Sequence, residues 1–221
     1  MHNLNTADVP NPSAGSEPKG LESKGRGDRR ESILDVASEI FLKEGYASAS
    51  MSEIAVRLGG SKGTLYNYFK SKEELFEAYV HRRCLFHRNL VGEILNEEGD
   101  ARTILTNFAR RYLKVFTSEE ALQNWRVISA ESYKSPEIGR AFYESGPKRG
   151  AEIIANYLRQ ATERGELKVD DAMTAAHQFT SLIHGRMIKA RLLNCIPEPS
   201  EAEIEKEVAS ALRVFFAAYG A

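Results

Sequence analysis

The sequence predicts an all-α protein, and three observations lead to that fold class. Apolar residues recur at intervals of three and four along most of the chain. Nearly every break in this recurrence resembles a helix cap, in which a small polar or acidic residue is followed three positions later by Glu. Strand-like alternation is limited to short stretches such as residues 166–169, which are interpreted as a loop.

The first helices are short, and their ends are marked by capping residues. Asp28 and Glu31 form a capping-box sequence, and the apolar positions Ile33, Ile40 and Phe41 then follow at helical spacing. Glycine is typical of the position after a helix end and of tight turns. The predicted caps, ends and turns are, in chain order, Asp28, Gly45, Ser50, Gly59-Gly60, Ser61 and Ser71.

A long fourth helix is predicted from Ser71 toward Leu95, and more helices follow a break at residues 97–100. Pro136 and Pro147 each occupy a position typical of a first helical residue. The later helices are predicted at Arg102–Thr117, Glu119–Tyr133, Pro136–Ser145, Pro147–Arg164, Asp171–Leu193 and Glu201–Tyr219.

The predicted third helix carries the clearest functional signal. Leu65 and Phe69 lie one turn apart and can seat the helix on the two helices before it. The other side chains then face outward, where amide and ammonium groups can read base edges in the DNA major groove. The alternative is an ordinary surface helix, which the helix-turn-helix layout disfavours. The candidate DNA-binding residues are Ser50, Ser52, Lys62, Gly63, Thr64, Tyr66, Asn67, Tyr68 and Lys72.

The charge distribution supports DNA binding at one end of the molecule. Residues 24–72 contain nine Lys and Arg against six Asp and Glu, whereas the whole chain has a net charge of −1. Arg26, Arg29 and Arg30 could form a flexible arm that contacts the DNA minor groove or backbone, or simply a solvated charge run. Residues 1–27 are polar and rich in Pro, Gly and Ser, which predicts a disordered tail rather than a signal peptide.

The cysteines and the lengths of the apolar runs predict where the protein is located. Cys84 and Cys195 are far apart and form no CxxC pair, and no apolar run is long enough to span a membrane. We therefore expect a cytoplasmic protein with reduced thiols.

The segment from Arg30 to Val80 resembles the N-terminal domain of TetR-type transcriptional regulators. The resemblance rests on Met51-Ser52-Glu53-Ile54-Ala55 and Gly63-Thr64-Leu65-Tyr66-Asn67-Tyr68-Phe69, while Gly60 departs from the family pattern. Residues 126–167 are similar, less extensively, to the AefR-like subgroup. The resemblance implies a homodimer, a palindromic operator in double-stranded DNA, and a small-molecule inducer pocket. It also implies that Tyr66 and Lys72 contact phosphate. The implied domains are 28–75 for DNA binding and 76–221 for ligand binding and dimerisation.

The last two predicted helices have apolar faces wider than a surface helix needs, which indicates two partners, the chain's own core and a second subunit. Burial within the monomer is the alternative. The resemblance implies that these two helices from each subunit form a four-helix interface. The candidate interface residues are Phe179, Ile183, Met187, Val208, Leu212, Phe215 and Phe216.

Large amphipathic side chains in the C-terminal part could line an apolar pocket with a few polar groups, although core packing is the simpler interpretation for any one of them. Such a pocket predicts a mostly apolar inducer with one or two hydrogen-bonding groups. The candidate ligand-binding residues are Phe108, Tyr112, Trp125, Tyr133, Phe179 and His184.

Other classes of function have weaker support. His81, Cys84 and His87 form an incomplete ligand set, so a metal-responsive regulator is possible but buried histidines are favoured. No nucleotide-binding, hydrolase or metalloprotease motif is present, and neither an enzyme nor a cofactor is predicted. A ligand-independent DNA-binding or interaction protein on the same fold stays open.

Overall fold

The computed structural model describes the backbone of residues 19–221 and the side chains from residue 28 onward. This part of the chain forms eleven helices and no sheet; an isolated bridge joins Leu167 to Gly220. The helices are α1 Lys19–Ser48, α2 Met51–Arg57, α3 Lys62–Tyr66, α4 Lys72–Leu95, α5 Ala101–Phe116, α6 Glu119–Lys134, α7 Pro136–Ser145, α8 Pro147–Glu163, α9 Ala172–His184, α10 Met187–Leu192 and α11 Glu201–Tyr219. The predicted all-α fold is confirmed.

The caps of the short N-terminal helices form largely as predicted. Ser50, Ser61 and Ser71 each accept a hydrogen bond from the backbone N–H three residues later. The first helix is interrupted at Gly45, where φ is 79° and ψ is 161°. Gly59 has a φ of 65°, a left-handed conformation that glycine adopts without steric cost and that lets the chain turn between α2 and α3.

The predicted start of the first helix is wrong. The helix begins at Lys19, so Asp28 lies inside α1, where its carbonyl oxygen accepts a hydrogen bond from the Ser32 hydroxyl (2.9 Å). Residues 19–27 of the predicted disordered tail are therefore helical, because adding a residue to an existing helix costs far less than nucleating a new one. The rest of the predicted tail, residues 1–18, lies outside the described residues.

Two apolar cores share α4. The first core joins α1–α3 to α4 and extends to Ile128 of α6 and Ile138 of α7. Tyr79 of α4 is fully buried there and donates a hydrogen bond to Asn124 of α6. The second core joins the far end of α4 to α5, α8, α9 and α11. The packing of the DNA-binding part thus continues past the predicted boundary at residue 75.

The predicted helix Asp171–Leu193 is two helices, α9 and α10, separated at Gly185. Gly185 has a φ of 42° and a ψ of −139°, and a Cβ at this position would come within 2.4 Å of the Glu207 carboxylate on α11. The positive φ favours glycine at this position, although the Glu207 side chain could move away from an added Cβ. The apolar periodicity continues on both sides of Gly185, which explains why the sequence predicted one helix.

None of the helices in residues 19–221 is long and apolar enough to cross a membrane.

Candidate DNA-binding surface and internal cavity

The helix α3 presents the polar surface that the sequence predicted. Leu65 and Phe69 are buried in the first core, whereas Lys62, Gly63, Thr64, Tyr66 and Asn67 are exposed and Tyr68 is partly buried. The Thr64 hydroxyl lies 2.9 Å from that of Ser61, which leaves the Thr64 methyl group available for apolar contact. A short, exposed helix that follows a tight turn has the form of the recognition helix of a helix-turn-helix.

The neighbouring N-terminal residues also belong to this surface. Ser52 is exposed at the start of α2, and Ser50 caps that helix through the N–H of Glu53 (3.1 Å). Arg29 donates to the carbonyl of Leu58 (3.5 Å), and the guanidinium of Arg30 lies 4.9 Å from the centre of the Phe69 ring. Both arginines therefore pack on the helix-turn-helix rather than extending from it as an arm.

Lys72 has a structural role that the sequence did not reveal. Its ammonium donates to the carbonyls of Tyr46 (2.9 Å), Ala47 (3.4 Å) and Ala49 (3.0 Å) and lies 4.3 Å from the centre of the Tyr46 ring. An ammonium has three protons, and these three carbonyls can take all of them. In this conformation Lys72 joins the start of α4 to the end of α1, so a contact with phosphate would require it to exchange partners.

We expect Lys72→Ala to lower the free energy of unfolding by about 1–3 kcal/mol, because three carbonyls lose a charged donor. Urea unfolding measures this effect. Lys70→Ala is the matched control, because Lys70 is exposed and bonds to Glu74 through its backbone N–H (2.6 Å). Equal stabilities of the two variants would contradict the capping role. If Lys72 also contacts phosphate, the salt dependence of DNA binding should fall by about one unit of slope.

A cavity of about 310 Å³ lies within the C-terminal part, between α4, α5, α6, α7, α8 and α9. Its lining is mainly aromatic and aliphatic, with a small number of polar side chains, as is usual for small-molecule sites. The aromatic and polar lining residues include Arg83, His87, Arg88, Tyr112, Phe116, Asn124, Trp125, Phe142, Tyr143, His177 and His184.

Two polar side chains in this lining, Tyr112 and His184, form a hydrogen bond with each other. The Tyr112 hydroxyl lies 2.7 Å from Nε2 of His184, and the two rings stack with centroids 5.4 Å apart. Burial, followed by the charge of Lys189, lowers the pKa of His184 below its usual range. A neutral His184 ring therefore pairs with a neutral Tyr112 hydroxyl at neutral pH.

The predicted ligand-binding residues divide into two groups. Tyr112, Trp125 and His184 line the cavity. Phe108 and Phe179 do not; they are fully buried and pack on each other in the second core, with ring centroids 5.6 Å apart. Tyr133 is 92% exposed, on the outer face of α6. The sequence did not place Arg83, His87 and Asn124 in a cavity. For Arg83 the reason is its charge, because a charged residue on a helix usually indicates a solvated face.

The predicted interface residues lie mostly inside the monomer. The residues Phe179, Ile183, Met187, Val208, Leu212 and Phe215 are buried in the second core, and Phe216 is partly buried. The six buried side chains are covered by α5, α9 and α11 of the same chain and are not free to contact a second subunit, whereas the assignment of Phe216 to the interface stays a prediction. The exposed face of α9 and α11 instead carries Gln178, Ser181, Ser210, Val214, Ala217 and Ala218. We call this the α9–α11 face.

The histidine and cysteine residues do not assemble into a metal site. His81 is exposed, whereas Cys84, which is buried beside Gly146, and His87 both line the cavity. Among the residues that the structure describes, no group of three or more His, Cys, Asp and Glu is arranged to hold a metal ion.

A helix-turn-helix with an exposed recognition helix, joined by one long helix to a domain with a cavity, defines a DNA-binding transcriptional regulator. Comparison with known families agrees. Residues 33–79 match the profile of the bacterial regulatory proteins of the tetR family, and residues 103–221 match that of the AefR-like transcriptional repressor C-terminal domain. The chain belongs to the TetR family, whose members are transcription factors rather than enzymes.

The similarity to individual relatives extends over most of the chain. The HTH-type transcriptional regulator YvkB of Bacillus subtilis is 27% identical over 183 residues, which are 80% of this chain and 92% of YvkB. A TetR-family regulator from Mesorhizobium loti superposes with a TM-score of 0.83 at 29% identity, covering 88% of this chain and 98% of the other. The flavonoid-responsive regulator FrrA superposes with a TM-score of 0.74 at 33% identity, with the same two coverages.

Proposed function

We propose that this protein is a repressor that binds a palindromic operator as a homodimer and is released by a small, mostly apolar inducer. One observation carries the proposal: α4 belongs to the core of the DNA-binding part and also lines the cavity. A ligand that favours one position of α4 thereby shifts the population of recognition-helix positions. We also propose that the protein is cytoplasmic.

The link between α4 and the DNA-binding part is both apolar and ionic. Phe76 and Tyr79 of α4 pack on Phe41 of α1, with ring centroids 5.0 and 5.5 Å from that of Phe41. Further along α4, Arg82 pairs with Asp35 of α1 (2.7 Å). Arg83, the next residue, lies in the cavity lining. Adjacent residues of one helix therefore contact the DNA-binding part and the cavity.

We assign dimerisation to the α9–α11 face. Val214 is 48% exposed at its centre, and the surrounding residues Ser181, Ser210, Ala217 and Ala218 are small. Small side chains let helices of two subunits approach closely, and an exposed valine gains by burial. A two-fold axis through this face would bring the two recognition helices of a dimer to successive turns of a palindromic operator.

The inducer proposal is supported by the chemistry of the cavity and by one relative. The lining combines five aromatic side chains and several aliphatic ones with polar groups, so a mostly apolar ligand with one or two hydrogen-bonding groups fits it. FrrA, which is 33% identical to this chain, is a flavonoid-responsive regulator.

Inducer binding is expected to change the fluorescence of Trp125, the sole tryptophan, because its ring lies in the cavity lining. The same ligand should raise the melting temperature by binding the folded state and should weaken operator binding by the reciprocal coupling factor. A panel of aromatic compounds can be titrated while tryptophan emission and operator anisotropy are followed together. A compound that binds tightly and changes Trp125 emission without releasing DNA would indicate a constitutive DNA-binding protein.

A further inference from the structure

The cavity lining is asymmetric in charge. Among the described residues that line it, the two with a full charge at neutral pH are Arg83 and Arg88, both on α4, and no carboxylate is present. Charges at a poorly solvated wall interact more strongly than charges in water. A ligand with a negative group at the α4 side of the cavity would therefore bind more tightly than a neutral ligand of the same shape.

Arg83 has a donor available for such a group. Its Nη1 lies 2.6 Å from Glu120 Oε1, but its Nε is buried without a hydrogen-bond partner. The guanidinium is a planar fork, and the edge opposite to Nη1 can bind a carboxylate through two parallel hydrogen bonds. Because the Glu120 side chain is 62% exposed, it can stay on Nη1 or turn into water.

His87 adds a second unmatched polar atom one helical turn further along α4. Its Nδ1 is also buried without a partner. Residues four positions apart on a helix lie on the same face, so both unmatched atoms belong to one wall. Burial and then the charge of Arg83 lower the pKa of His87 to about 4, which leaves the ring neutral and able to donate from Nδ1. Two buried polar atoms without partners are a cost that a bound acceptor would remove.

An aromatic wall extends from this polar pair. The His87 and Phe116 rings are 4.8 Å apart at 35°, the Phe116 and Tyr112 rings are 4.1 Å apart at 16°, and the Tyr112 and His184 rings are 5.4 Å apart at 27°. The last two of these contacts are stacked and the first is tilted. Because the stacked rings cover one another's faces, a ligand beside them meets ring edges, against which a planar ring system packs edge to face.

We propose that the cavity is a site for a planar aromatic anion, whose carboxylate or phenolate is held by Arg83 and His87 while its rings lie along the wall of Tyr112 and Phe116. The proposal rests on the proposed function in taking this cavity as the effector site. It goes further by naming the charge of the ligand and the residues that select it. The Tyr112–His184 pair is already satisfied and requires no polar group at the other end of the ligand.

Naphthalene-2-carboxylate and naphthalene-2-carboxamide test the proposal, because they share a ring system and differ in charge. Calorimetry at neutral pH is expected to show a preference of about tenfold or more for the carboxylate. Arg83→Gln should reduce the preference by about fivefold or more by weakening carboxylate binding, with the charge of Arg88 still in the lining, while the affinity for the amide stays within about twofold. Arg111→Gln is the matched control, since Arg111 of α5 pairs with Glu97 and is absent from the lining. Its preference should be unchanged.

Equal affinity for the two probes, no binding of either at millimolar concentration, or a preference that Arg83→Gln leaves unchanged would overturn the proposal. If Arg83→Gln does not fold, His87→Phe replaces it, because the ring stacking remains while the Nδ1 donor is lost; the preference should then fall severalfold. Operator anisotropy separates this proposal from the proposed function. If the carboxylate is preferred through Arg83 but does not release the operator, the anion site is retained and the inducer role is refuted.

Discussion

Replacement of Asn67 by alanine is expected to reduce affinity for the operator by roughly 30-fold or more. Asn67 is exposed at the end of α3, and an amide that pairs with a base edge contributes about 1–3 kcal/mol of discrimination. A dimer loses this contact in both half-sites, so the loss is about 2–6 kcal/mol. Fluorescence anisotropy on a duplex selected from a random pool, and on a scrambled duplex of the same composition, measures it.

The scrambled duplex and a second variant supply the controls. Affinity for scrambled DNA should change little, because non-specific binding depends on phosphate contacts. Asn89→Ala removes an exposed asparagine of α4 outside the recognition helix and should leave both affinities unchanged. An equal loss on the selected and scrambled duplexes would assign Asn67 to the phosphate backbone instead of a base. No loss on either would remove it from the interface.

The recognition helix could be predicted because its signals are local. A serine cap, a glycine turn and two apolar residues four positions apart determine how α3 is seated, and all of them lie within residues 59–69. The partners of Lys72 could not be predicted in the same way. Its ammonium bonds to carbonyls that lie 23–26 positions earlier, and a lysine near a helix start is equally compatible with DNA contact.

The cavity depends on contacts between distant parts of the chain. Tyr112 and His184 are 72 positions apart, and the sequence contains no sign that they pair. Periodicity identified aromatic residues on apolar faces but not whether neighbouring side chains leave a space beside them. Phe108 and Tyr112 illustrate this limit, since they are one turn apart on α5 and only Tyr112 reaches the cavity. Arg83 was not predicted to line the cavity, because its charge indicated a solvent-exposed position.

Periodicity also failed to show which apolar residues of α9 and α11 are covered within the monomer, and this changes how the proposed subunit interface should be tested. Wide apolar faces on α9 and α11 were correctly identified, but α5 and the two helices themselves cover the largest side chains. The interface proposed on the α9–α11 face, made of Gln, Ser, Ala and one Val, has little hydrophobic signal in the sequence. Phe215 is 1% exposed, so Phe215→Asp would bury a charge in the monomer core and is expected to unfold the domain. A monomeric Phe215→Asp protein would therefore say nothing about dimerisation.

Val214→Asp is expected to separate the dimer without unfolding the monomer. The side chain at position 214 is 48% exposed, so a carboxylate there is solvated in the monomer, whereas a dimer would desolvate two of them near its axis. Loss of the bivalent contact should weaken operator binding by roughly 10²–10⁴-fold. Light scattering and anisotropy measure the two effects, and helical circular dichroism checks the fold. Leu85→Asp is the matched control, because Leu85 is 44% exposed on α4, outside the α9–α11 face, and its variant should stay dimeric. A folded Val214→Asp protein that remains a dimer at micromolar concentration would place the two-fold axis on another face, and with it the spacing of the two recognition helices.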